Sequence, residues 1–126
     1  MVFSEFNKKR NILSTHFQSE VDKAEIIDYI NTTKLNKDYP RELKIITDSR
    51  KSKMNLNQDD IIEIINANNQ SLREYNYIVD AIVIENSQEA QVSLFYKELS
   101  KADNYYFQVF SDYNKALKWL LEFQPE

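Results

Sequence analysis

The chain has 126 residues, 42% of them apolar and 13% aromatic, and carries sixteen basic against twenty acidic side chains for a net charge of −4. That length suits a single domain with one core, and the acidic balance offers no overall attraction to nucleic acid or to an anionic membrane surface. Cysteine and glycine are both absent, which excludes disulfides, thiolate metal sites, cysteine nucleophiles and glycine-rich phosphate loops.

No apolar run approaches the roughly 20 residues that span a bilayer, so no membrane insertion is expected. The opening MVFSEFNKKRN places its basic cluster after its apolar residues, the reverse of a secretory leader, and a cytoplasmic location is the expectation. Without glycine, turns that require positive φ fall to Asn or Asp. Asn36, Asn55, Asn76, Asn86 and Asn104 stand where element boundaries are expected.

Val2, Phe3 and Phe6 suit a short edge strand that turns at Asn7 to Arg10. Ile12 to Phe17 follows as a strand, after which Ser19, with Asp22 three residues on, offers a helix N-cap. Ala24, Ile26, Ile27 and Ile30 recur at helical spacing, and this helix must end before Tyr39-Pro40, since the residue ahead of proline disfavours helix. Leu43, Ile45 and Ile46 mark a central strand over about Glu42 to Thr47, and the polar run Asp48 to Leu56 reads as the longest loop of the chain.

Asn57 can cap a second helix, with Asp59 and Asp60 at its positive end. Ile61, Ile62, Ile64 and Ile65 give that helix a buried side. Tyr77 to Ile84 is apolar on both faces apart from Asp80, the pattern of a strand covered by helices on both sides. Asn86 with Glu89 resembles a capping box for a third helix buried through Val92, Phe95, Leu99 and Ala102. Tyr105 to Phe110 is the last strand, and Ser111 can cap a final helix carrying Ala116, Leu117, Leu120 and Leu121. The order β-α-β-α-β-α-β-α predicts an α/β domain with a mixed sheet of four or five strands and about four helices.

Asp48, Ser49, Arg50, Lys51 and Lys53 lie at the carboxyl end of the central strand, the edge where open α/β sheets place ligands. Their guanidinium and ammonium groups could pair with phosphate or carboxylate oxygens; the alternative is a solvated loop in which Asp48 or Ser49 satisfies turn backbone groups. His16 is the sole histidine, so any Ser-His-Asp chemistry would have to use it, but Ser14 is too near along the same strand to count, and a strand histidine, exposed or hydrogen-bonded, is the simpler reading. Asp59, Asp60 and Glu63 could hold a hard cation, but the helix dipole is a sufficient account of carboxylates at a helix start. Asp80 must be edge-facing or hydrogen-bonded, because a buried carboxylate is costly unless paired. The C-terminal aromatics suit a core, a pocket or interface anchors, with Trp119 and Phe123 marking a candidate dimer surface.

The segment FSDYNKALKWL, Phe110 to Leu120, together with ELKIITDSR, a strand running into an Asp-containing turn, resembles the SpoIIAA-like, or STAS-like, family. The resemblance spans about Ile12 to Leu121. It implies a single mixed-sheet domain without catalysis or cofactor that works by binding, most plainly to a regulatory protein. Relatives of this kind switch partners through a phosphorylated serine at a helix start, but Asp48-Ser49-Arg50-Lys51 does not reproduce their Asp-Ser-Ser-Gly type turn, so the phosphoswitch does not carry over. A second branch shares its arrangement with lipid-carrying SEC14-like domains, which implies as the alternative a carrier or sensor of a small apolar or anionic ligand. An exposed apolar patch over a closed core would favour a protein partner, and an internal void would favour a ligand.

Overall fold

A computed structural model describes residues 1–125. Five strands, β1 (Val2–Asn7), β2 (Ile12–Val21), β3 (Glu42–Met54), β4 (Tyr77–Val83) and β5 (Tyr105–Phe110), form one sheet in sequence order. The β1–β2 hairpin is antiparallel and the remaining pairs are parallel. Helices α1 (Lys23–Leu35), α2 (Gln58–Leu72), α3 (Glu89–Leu99) and α4 (Tyr113–Glu122) supply the crossovers and the C-terminal element.

The pleat divides the core in two. Leu13, Phe17, Leu43, Ile45, Ile78, Ile82 and Tyr105 face the layer made by α1, α2 and α3. Ile12, Ile46, Val79, Ala81 and Val83 face α4, which contributes Ala116 and Leu120. β4 is thereby apolar on both sides, as its sequence predicts, and Asp80 lies on the three-helix side at the centre of the sheet.

Capping follows the sequence at α2, where Asn57 and Asp60 form a capping box, and departs from it elsewhere. α1 is capped by Asp22 rather than Ser19, with Glu25 closing the box, because β2 continues through Ser19 to Val21. Asn86 does not cap α3; a 3₁₀ turn over Asn86–Gln88 precedes it, held by the Glu85 N–H donating to Gln88 Oε1 at 2.8 Å. α4 is capped by Asp112 instead of Ser111.

The largest correction concerns Asp48 to Leu56. β3 runs on to Met54, and Gln18–Val21 of β2 pairs with Lys51–Met54. A polar run reads as a loop, but here it lies against an equally polar run, and the two complete each other's backbone hydrogen bonds at a wet end of the sheet. Between His16↔Asp48 and Gln18↔Lys51 the longer strand spends one extra residue, a β-bulge.

Among the described residues two adopt positive φ, Asn11 at 62° in the β1–β2 turn and Ser19 at 59° in β2. Asn11 follows the expectation for a chain without glycine, whereas Ser19 holds a conformation its Cβ disfavours. Ser19→Gly should therefore raise stability by about 0.5–1 kcal/mol in urea denaturation, and no gain would show that the backbone at Ser19 carries no strain.

Candidate functional site

A row of polar side chains crosses the sheet beneath the three-helix layer. Thr15 of β2 and Thr47 of β3 are register partners, and Asp80 of β4 and Tyr105 of β5 continue the row. The Thr47 hydroxyl donates to Asp80 Oδ1 at 2.7 Å and the Tyr105 hydroxyl to Asp80 Oδ2 at 2.8 Å. From above, the Tyr29 hydroxyl of α1 meets Thr15 Oγ1 at 2.9 Å. Asp80 is thus central and hydrogen-bonded, the second of the two placements its sequence allowed. Burial pushes its carboxyl up to about 6, against the two hydrogen bonds, which act in the opposite direction. The same burial and the nearby carboxylate raise the Tyr29, Tyr96 and Tyr105 hydroxyls.

Asp80 and Tyr105 of this row, with Tyr29 above them, line an internal chamber of about 40 Å³. Its walls are mainly apolar, with Ile26, Ile64, Phe95 and Tyr96 among them, and Asn68 of α2 is the one amide on its lining. Outside it, between α2 and α3, runs a groove of about 470 Å³ walled by Met54, Leu56, Ile61, Ile62, Ile65 and Leu94, with Gln58, Gln91 and Glu98 at its edges. Phe95 lines both hollows. Ile62 is 50% exposed and Leu94 64%. Neither hollow could have been located from sequence, although the lone Asp80 in an apolar strand was a visible signal for the inner one.

The bulge separates the residues that the sequence groups at the end of the central strand. Ser49 points inward and is fully buried, while Arg50, Lys51 and Lys53 are exposed. Arg50 turns back on Asp48, with Nε to Oδ1 at 3.0 Å and Nη2 to Oδ2 at 2.8 Å. That pairing holds the Asp48 carboxyl below its usual range and raises the guanidinium. The Gln88 side chain donates to Ser49 O and Ser52 O at 3.0 and 2.8 Å and ties the bulge to the turn before α3.

His16 stacks on Phe3, with ring centroids 4.9 Å apart, is the register partner of Asp48, and lines a surface hollow of about 190 Å³ with Asp48, Arg50 and Lys51. The other candidates lie apart from it. Asp60 and Glu63 pair with Lys23 at 3.8 and 3.0 Å. Trp119 and Phe123 are half-buried in an aromatic cluster, Trp119 on Phe110 and Phe123 on Tyr77 and Tyr106. No group of three or more His, Asp or Glu side chains among the described residues is placed to hold a metal ion, and no described helix is long and apolar enough to cross a membrane.

No family model matches the chain, and no curated protein matches it. Among solved structures the chain is similar to an uncharacterized protein of the DUF3478 family with a SpoIIAA-like fold from Shewanella loihica PV-4, at 13% identity and a TM-score of 0.64, over 95% of this chain and 92% of that one. The fold is SpoIIAA-like. The strand-and-helix pattern ending in FSDYNKALKWL therefore carries real fold information, and it does so through packing: Phe110 and Trp119 touch, and Ala116 and Leu120 are fully buried on one helical face. On this SpoIIAA-like frame the chamber and groove lie on the three-helix side, opposite α4.

Proposed function

We propose that the chain is a cytoplasmic, non-enzymatic, SpoIIAA-like binding domain whose groove between α2 and α3 receives an amphipathic segment of a regulatory protein. One observation carries this reading: a solvent-open apolar groove with two large side chains, Ile62 and Leu94, exposed on its opposite walls. Contiguous exposed apolar surface with a polar rim is the mark of an interaction site. Asp60 and Glu63 of α2 are taken up by Lys23, but the groove's own lining holds the carboxylate of Glu98, shared with Lys101 outside it, and no cation, so we take the complementary segment to be basic at its flanks. An anionic ligand would meet carboxylates and no cation along the linings of both hollows.

The absence of catalysis belongs to the same proposal, supported by the placement of His16 on Phe3 rather than beside a serine hydroxyl. A photo-crosslinking side chain placed at position 62 or 94 of the full chain, in its own cells, tests the whole. Crosslinks should map to one protein, on a segment with apolar anchors and Lys or Arg flanks, and Leu94→Asp should abolish those formed from position 62. Crosslinks that map to no such segment, or that persist in the Leu94→Asp variant, would defeat the reading.

A further inference from the structure

The hydroxyl-bearing Tyr29, Thr33, Ser71, Tyr96 and Tyr105 line the chamber together with Asp80 and Asn68, and the last two differ in kind. Asp80 is 5% exposed, and each of its oxygens accepts one hydrogen bond, leaving lone pairs to spare. Asn68 is 7% exposed, and its buried Nδ2 has no hydrogen-bond partner. Buried donors are almost always paired, and an orphan in a lined hollow asks for a group that the protein itself does not supply. An acceptor is required opposite Asn68 and a donor is accommodated at Asp80.

A hydroxyl is both. An ammonium head would set its donors against the Asn68 amide hydrogens, and a carboxylate head would set its charge against Asp80. A hydroxyl also enters a largely apolar chamber at a far smaller desolvation cost than either ion. The volume of about 40 Å³ admits a head of that size and little more, since a water requires about 10–15 Å³ measured in this way. An apolar body must then lie elsewhere, and Phe95 is the wall common to the chamber and to the groove that holds Ile61, Ile65 and Leu94.

We propose that the chamber at Asp80 and Asn68 is the head-group site for a small apolar alcohol, which enters past Phe95 and leaves its chain in the α2–α3 groove. The inference does not rest on a protein partner. Its test is a titration of the full chain with 1-octanol, 1-methoxyoctane and octylamine, followed in ¹H–¹⁵N spectra at the Asn68 side-chain amide and at the backbone of Asp80 and Tyr105. Octanol should shift these signals saturably, and the ether, which lacks the donor, should bind at least about tenfold more weakly. Asn68→Leu removes an unpaired amide and so should fold at least as stably, yet lose octanol affinity by about tenfold or more.

The inference is overturned by an absence of saturable shift at Asn68 up to the solubility limit, by equal affinity for the ether, by tighter binding of octylamine, or by undiminished binding to the Asn68→Leu variant. Shifts confined to Ile62 and Leu94 would also overturn it, leaving only a greasy outer groove. Each of these results leaves the crosslinking test of the partner reading intact.

Discussion

Leu120→Ala should be among the most damaging single substitutions in the molecule, lowering stability by about 2–5 kcal/mol and the melting temperature by roughly 10 °C. α4 is the one described helix on its side of the sheet, and it closes the core there through Ala116 and Leu120, both fully buried against Ile12, Ile46, Val79, Ala81 and Val83. Truncation leaves a cavity that five strand residues, pinned by the backbone ladder, cannot collapse to fill. The neighbouring Leu121 is 47% exposed, and Leu121→Ala should stay within about 0.5 kcal/mol of the parent. Thermal and urea unfolding of the two variants side by side make the check. Equal losses would mean that α4 does not seat on the sheet through Leu120.

That helix also shows what the sequence carries well. Ala116 and Leu120 repeat at helical spacing beside polar Asn114, Lys115 and Lys118, and one buried stripe needs only one seat. The strand from Tyr77 was legible for a related reason, since a parallel strand buried on both faces leaves a nearly unbroken apolar run. β3 was legible only to Thr47. Beyond it, the outcome depends on a pairing with Gln18–Val21, and two polar segments give no sign in isolation that they will complete each other's ladders. The caps failed by a residue or more wherever a strand or turn ran on, as at Ser19, Asn86 and Ser111, because Ser, Asn and Asp next to one another compete for the same role.

The site was less legible than the fold. Asp48, Ser49 and Arg50 look like one functional group because they are adjacent, yet the bulge buries Ser49, and Asp48 and Arg50 satisfy each other. Chamber and groove arise from α1, α2 and α3 meeting over the sheet, so their residues lie far apart in sequence, from Phe17 to Tyr105. Asp80 was the exception, since a carboxylate in an apolar strand is costly enough to register by itself.

Asp80→Asn should stabilise the protein at pH 7 by roughly 1–3 kcal/mol and leave it nearly unchanged near pH 4. The folded chain holds the Asp80 proton up to about pH 6, and the ordinary value for the free group is 3.8. Within that window the folded state keeps a proton that the unfolded chain has released. Stability from this group is therefore fully present below 3.8, is lost as pH rises through about 6, and is flat above it, the loss amounting to roughly 3 kcal/mol at most. Asparagine cannot ionise, so the variant skips the loss while keeping an oxygen for the Thr47 hydroxyl. Other carboxylates act in the opposite sense, Asp48 among them, because Arg50 holds its proton affinity down. Parent and variant share those groups, and subtracting their urea-unfolding free energies at pH 4.5, 6 and 7.5 isolates Asp80. A difference that grows with pH and levels off above 6 is the expected result. A constant difference would mean that folding leaves the proton affinity of Asp80 unchanged, and a difference that falls as pH rises would mean that the folded chain favours its charged form, in which case the chamber suits a cationic head rather than a neutral hydroxyl.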